Sequence, residues 1–173
     1  MHSLSTVRAA RIEDADAIAE VHIQARNAYY RGFVPEEDLD RRAAELREAY
    51  RSLSRRTDLT LLCAEQDDVI VGIALLGSPY DTELDPAEVG ELYQLHVRPG
   101  HWRQGIGSQL HSACLHAWQE LGLSIGVLEM WERNDRARAF YSSHGWQPDG
   151  YSRSYGDTNY VRLRRTLTHQ MDI

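Results

Sequence analysis

At 173 residues the chain is long enough to bury a real core and short enough to form one domain over residues 1–173. A formal charge of −7 excludes a general nucleic-acid binder, whose surface is usually basic, and no apolar run is long enough to span a bilayer. Residues 1–6 lack a signal-peptide core, and Cys63 and Cys114 sit in apolar contexts as reduced, buried thiols, so the expected location is cytoplasmic.

Residues 6–10 read as a short first strand. Glu13, Asp14 and Asp16 then place acids where a helix begins, with Ile18, Val21, His22 and Ala25 as its apolar stripe. His22 on that stripe reads as a packed core edge rather than a ligand. Tyr29-Tyr30-Arg31-Gly32-Phe33-Val34-Pro35 is aromatic and broken by Gly and Pro, which places it on a loop. Such a loop is either a hydrophobic clasp between two helices or the wall of a substrate pocket. Leu39, Ala43, Leu46 and Tyr50 mark a second amphipathic helix over residues 36–53. Residues 59–64 and 69–76 are strand-like and joined through Gln66-Asp67-Asp68 as a hairpin.

Gln94 to Leu110 organises the rest. QLHV is the end of a strand, Arg98-Pro99-Gly100 breaks it, and Ile106, Leu110, Cys114, Ala117 and Leu121 then share a helical face. A glycine-bearing turn entering a helix describes an anion site, because the first N–H groups of a helix lack internal partners and the macrodipole adds positive charge. Gly105 and Gly107 would let a phosphate approach the backbone, and Arg98 and Arg103 would supply full charges. Tight packing of strand on helix explains the glycines equally well. A P-loop is excluded because no Gly-Lys-Ser/Thr follows, and a dinucleotide fingerprint fails because its third glycine position holds Leu110.

Gly122 closes that helix, residues 125–130 give another strand, and Arg133-Asn134-Asp135 turns into a short helix ended by His144-Gly145. Residues 146–154 and 159–167 are two final antiparallel strands. The order β-α-α-β-β-β-α-β-α-β-β describes an α/β (α+β mixed) chain. The expected architecture is a central, mostly antiparallel twisted sheet of about seven strands flanked by about four helices.

QLHVRPGHWRQGIGSQL followed by NDRARAFYSSHGW resembles the GNAT superfamily of acetyl-CoA-dependent N-acetyltransferases. The order of elements matches along nearly the whole chain, and VRAARIEDADAIAEVH is similar to the opening of its members. The resemblance implies the GNAT (acyl-CoA N-acyltransferase) fold, an acetyl-CoA cosubstrate and transfer of acetyl to an amine. It places the CoA pyrophosphate on the amides of Arg103, Gln104, Gly105, Ile106, Gly107 and Ser108, in agreement with the helix-terminus argument. It places pantetheine along the backbone of Leu95, His96 and Val97 and beside Asn134, and gives Tyr141 the protonation of the departing sulfur. Trp102 departs from the pattern, standing where the family loop usually has Gln or Arg.

The chemistry implied is attack of an amine nitrogen on a thioester, helped by a base, a stabilised oxyanion and a proton for the thiolate. Glu91, at the start of the central strand, is the expected base, with His96 as the alternative. No cysteine nucleophile is needed. None of the eight histidines falls in a zinc-ligand spacing, so no metal is expected. Five acids between Asp81 and Glu91, with Glu36, Glu37 and Asp38 beyond the aromatic loop, describe a negative rim. Tyr29, Tyr30 and Glu91 are the expected acceptor contacts, and the expected acceptor is a small, cationic amine. A protein N-terminal or lysine acetyltransferase and a non-catalytic acyl-CoA-binding sensor on the same fold remain alternatives, and the resemblance is compatible with a homodimer. Neither a nucleic-acid nor a membrane partner is expected.

Overall fold

The computed structural model describes residues 4–167. The elements run β1 (Thr6–Ala9), α1 (Ala15–Tyr30), α2 (Glu36–Leu53), β2 (Thr60–Gln66), β3 (Val69–Gly77), β4 (Val89–Val97), α3 (Ile106–Glu120), β5 (Ile125–Trp131), α4 (Asp135–Ser143), β6 (Gln147–Tyr155) and β7 (Thr158–Thr166). That is the order the periodicity predicts. The strands form one seven-stranded sheet in the order β1-β2-β3-β4-β5-β7-β6. The sheet is mixed: β4 and β5 run parallel, from Val89 opposite Ile125 to Leu92 opposite Leu128, whereas β1–β2, β2–β3, β5–β7 and β6–β7 are antiparallel. Asp67 and Asp68 both take positive φ, 51° and 62°, the two-residue turn whose twist suits a tight hairpin between β2 and β3.

Backbone contacts divide the chain into two compact units. The first holds the described residues through Leu76 together with Gln94–Cys114, and the second holds Gly77–Tyr93 and the described residues from Leu115 onward. The boundaries fall at the end of β3 and inside β4 and α3.

In the first unit, Ile18, Val21, Ala43, Leu46, Tyr50, Cys63, Ile70 and Ile73 are buried together. The stripe of α1 thus meets that of α2 over the sheet, and solvent-side ion pairs such as Arg47–Glu20 and Arg51–Asp16 join the two helices. Every basic residue of the 173-residue chain except histidine is arginine; lysine is absent. Glu36, Glu37 and Asp38 occupy the first turn of α2, where the helix dipole favours acids.

In the second unit, Trp118 of α3 is 2% exposed and lies directly on the sheet. It fits because the strands beneath it carry glycine: a Cβ at Gly90 would come within 2.3 Å of the indole Nε1, and one at Gly126 within 2.6 Å of Cζ3. Truncating so buried an indole to Ala would cost about 3–5 kcal/mol.

Three expectations are corrected. Tyr29 and Tyr30 belong to α1 rather than to a loop, because helical hydrogen bonding continues through Arg31 N–H to the Asn27 carbonyl at 3.0 Å. Leu121 is 69% exposed and lies beyond α3; Trp118 takes the buried place expected of it. β4 starts at Val89, so Glu91 lies inside the strand rather than at its beginning.

Candidate active site

In the first unit, β4 ends in Leu95, His96 and Val97. Arg98 N–H donates to the Val71 carbonyl at 2.8 Å, and a single 3-10 turn, Pro99–His101, follows. The Trp102 indole Nε1–H donates to the Val97 carbonyl at 2.8 Å. This accounts for the unexpected tryptophan: it braces the loop against the strand end and takes one of the backbone acceptors expected to face pantetheine. Arg98 does not act as expected. Its Nε donates to the Ile70 carbonyl and its Nη1 to Gln24 Oε1, so it ties β3 and α1 to the strand end rather than offering a free charge.

The loop from Arg103 to Ser108 keeps what an anion needs. Arg103 and Gly105 take positive φ, 62° and 82°, turning the chain sharply into α3. The first helical bond runs from Gln109 N–H to the Gly105 carbonyl at 3.0 Å. Ile106, Gly107 and Ser108 therefore make up the first turn, where the backbone N–H groups of a helix face its N-terminal end. A Cβ built at Gly105 meets nothing within 4 Å, and Arg103 and Gln104 are exposed. These residues fit a pyrophosphate.

Also in the first unit, His96 is stacked on His22 with ring centroids 4.1 Å apart, and its Nε2 pairs with Gln94 Oε1 at 2.7 Å. His22 Nδ1 pairs with the Tyr50 hydroxyl at 2.8 Å. Burial, and then the nearby Arg26 charge, push the His96 imidazole down to about 4; burial also holds His22 well below its ordinary value. Both rings are neutral at physiological pH. Tyr29 is half-buried and stacks toward His96 at 6.5 Å, and Tyr30 is buried.

In the second unit, Glu91 is 7% exposed. Burial raises its carboxyl above the ordinary range, and Glu129 adds to the shift, while a 2.9 Å hydrogen bond from Tyr80 N–H opposes it. Tyr80, whose ring packs on Tyr93 at 4.6 Å, escaped the sequence reading because its contribution is a backbone N–H. Asp81 has a different fate. It accepts from Arg162 at 2.9 Å, and Arg162 also pairs with Asp149, so one acid of the expected rim is neutralised. Asn134 caps α4, its Oδ1 accepting from Ala137 N–H at 3.1 Å, which leaves the amide nitrogen as its donor end. Tyr141 is 8% exposed, edge-on to Trp146 at 5.9 Å. Cys63 and Cys114 are free and buried, and burial pushes their thiols up to about 11 and about 12. An open cavity of about 410 Å³ beside β6 and β7, lined by Pro148, Asp149, Arg164 and Arg165, contains none of the expected site residues. Among the described residues no group of three His, Cys, Asp or Glu side chains is placed to hold a metal ion, and no helix is long and apolar enough to cross a membrane.

A seven-stranded mixed sheet of this order, with a glycine turn leading from β4 into α3, is the architecture that the family resemblance implies. The profile of the acetyltransferase (GNAT) family matches residues 20–146, and the chain belongs to that family. Over 103 residues it is 30% identical to the mycothiol acetyltransferase of Sanguibacter keddieii, covering 60% of this chain but only 31% of that protein. The fold is similar to that of the PaiA N-acetyltransferase of Thermoplasma acidophilum, solved in complex with coenzyme A (TM-score 0.75, 21% identity, 94% of this chain and 99% of that one). It is also similar to the ribosomal-protein-S18-alanine N-acetyltransferase of Escherichia coli (TM-score 0.67, 18% identity, 98% and 97% covered).

Proposed function

We propose that the protein transfers acetyl from acetyl-CoA directly to the amine of a small, cationic molecule. The observation that carries this reading is Glu91, a buried carboxylate with no arginine ion pair among the described residues, whose proton affinity is raised by burial. Such a group is a better general base than an ordinary exposed acid. The amine nitrogen attacks the thioester carbonyl carbon and gives up a proton to Glu91. The tetrahedral adduct collapses with cleavage of the C–S bond, and the Tyr141 hydroxyl donates a proton to the leaving sulfur. The amide and free CoA thiol are the products, and the proton on Glu91 returns to Tyr141 through solvent. The Arg103–Ser108 amides hold the pyrophosphate, the Leu95 to Val97 backbone and the Asn134 amide hold the pantetheine arm, and Tyr29 and Tyr30 contact the acceptor. Glu83, Asp85 and Glu88 are exposed acids that would concentrate a cation, more weakly as salt rises. Two free buried thiols support a cytoplasmic location.

Acetyl-CoA is expected to raise the melting temperature of the wild type. Gly107→Val is expected to fold and lose that shift, because a branched side chain displaces the phosphate from the amides. No shift for the wild type at saturating acetyl-CoA would remove the reading. Tyr141→Phe is expected to lower turnover roughly 10²-fold with acetyl-CoA affinity unchanged, read by thiol release; unchanged turnover would assign the ring to packing.

A further inference from the structure

Six arginines lie between Arg26 and Arg51. Five of them pair with carboxylates: Arg31 with Glu36, Arg41 with Asp38, Arg42 with Glu45, Arg47 with Glu20 and Arg51 with Asp16. Arg26 has no such pair among the described residues. It is also the one whose guanidinium is drawn inward: its Nη1 is buried without a hydrogen-bond partner in the protein. A buried donor left unmatched opposes folding, and one carrying full charge does so more strongly, so its persistence needs an explanation.

The surroundings narrow what would match it. His22, Arg26 and Tyr30 are spaced four apart and share one face of α1. The stacking of His22 on His96 fixes that face over the end of β4 that belongs to the same unit. Tyr30 lies under the guanidinium, 4.5 Å from ring centroid to Cζ. The neighbouring imidazoles are neutral and carry no charge to offset Arg26. Of the acids of α1 and α2, Asp16, Glu20, Asp38 and Glu45 hold other arginines. A planar fork held on an aromatic ring, with no carboxylate pair among the described residues, matches a two-oxygen planar anion supplied from outside.

We infer that Arg26, held over Tyr30, is the seat of a carboxylate on the amine acceptor, so that the acceptor is an amino acid or another carboxyl-bearing amine rather than a simple polyamine. This rests on the proposed acetyl transfer only for the word acceptor; the seat itself is a binding site.

The test compares matched pairs that differ only in the carboxylate: L-lysine with cadaverine, L-arginine with agmatine, and glycine with glycinamide. Binding is read by calorimetry with CoA present, and acetylation by thiol release, for the wild type, Arg26→Gln and Arg26→Lys. In the wild type the carboxylate member of at least one pair is expected to bind about tenfold or more tightly than its partner, the scale of a charged hydrogen bond. Arg26→Gln is expected to erase that difference while leaving the affinities for CoA and the decarboxylated partner unchanged, and Arg26→Lys to keep only part of it. The seat is overturned if both members of every pair bind the wild type alike, if no carboxylate binds, or if Arg26→Gln weakens CoA instead. Should Arg26→Gln fail to fold, the wild-type comparison and Arg26→Lys still decide. Carboxylate binding without acetylation of any pair would sink the transfer reading and keep the seat; diamines bound and acetylated as readily as amino acids would do the reverse.

Discussion

The two ends of β4 treat their ionisable residues in opposite ways. From Val89 to Leu92 the strand is buried, pairs in parallel with β5 and passes beneath Trp118 at Gly90. Glu91 sits there with its carboxyl raised by burial. From Tyr93 to Val97 the strand is half-buried, and His96 lies against His22 with its imidazole pushed down to about 4. Removal from water favours the neutral form in both, which moves an acid up the pH scale and a histidine down it. The acid thereby gains proton affinity. The histidine loses it, and stays neutral where an ordinary one would switch. Five positions apart on one strand, the two candidates for the base are separated by this alone, and the comparison favours Glu91.

The largest expected effect is at Gly90. Gly90→Val would drive a branched side chain into an indole that has nowhere to move, so we expect a loss on the order of 3 kcal/mol in chemical denaturation. A loss no larger than about 0.5 kcal/mol, typical of a surface change, would show that this end of the strand is not clamped.

Glu91→Gln comes next and should move activity and stability in opposite directions. Turnover is expected to fall roughly 10²-fold or more, and the rise of rate with pH through the raised carboxyl pKa to disappear. Because the folded pKa lies above the unfolded one, the wild type holds its proton more tightly when folded. The stability this gives is complete below the unfolded value and is lost as pH rises through the folded value. The amide escapes that loss, so Glu91→Gln should melt higher than the wild type at pH 8 and alike at pH 4. A variant that is less stable at pH 8 would mean that the carboxylate is stabilised in place.

The smallest expected effect belongs to His96. Its folded pKa lies below the unfolded one, so wild-type stability should fall as pH drops from about 6.5 toward about 4, where only the unfolded chain takes up the proton. His96→Gln should flatten that decline while changing the pH–rate profile near neutrality little. A shifted rate profile would return His96 to the list of bases.

Much of this was readable from residue spacing, and what was not has a common cause. The order of elements follows from contiguous patterns, and the turn from Arg103 into Ser108 is local, so both could be seen in the sequence. Tyr29 and Tyr30 were misplaced because aromatic residues before Gly32 look like a loop, while the hydrogen bond that extends the helix, to Asn27, leaves no mark in composition. Arg98 looked like a free charge because its partners, Ile70 and Gln24, are 28 and 74 positions away. Arg26 carries no mark in the sequence; the pairing of the five other arginines and the burial of one nitrogen set it apart in the structure.

The all-arginine surface has a practical consequence for anyone measuring acetylation. A guanidinium stays protonated and is a poor nucleophile toward a thioester, whereas a lysine amine is readily modified. With no lysine in 173 residues, the protein offers the acetyl group no side-chain amine of its own. Any acetyl-lysine that appears in a reaction containing it therefore belongs to the other component, and amine-reactive labels will report on the substrate with almost no background from the enzyme.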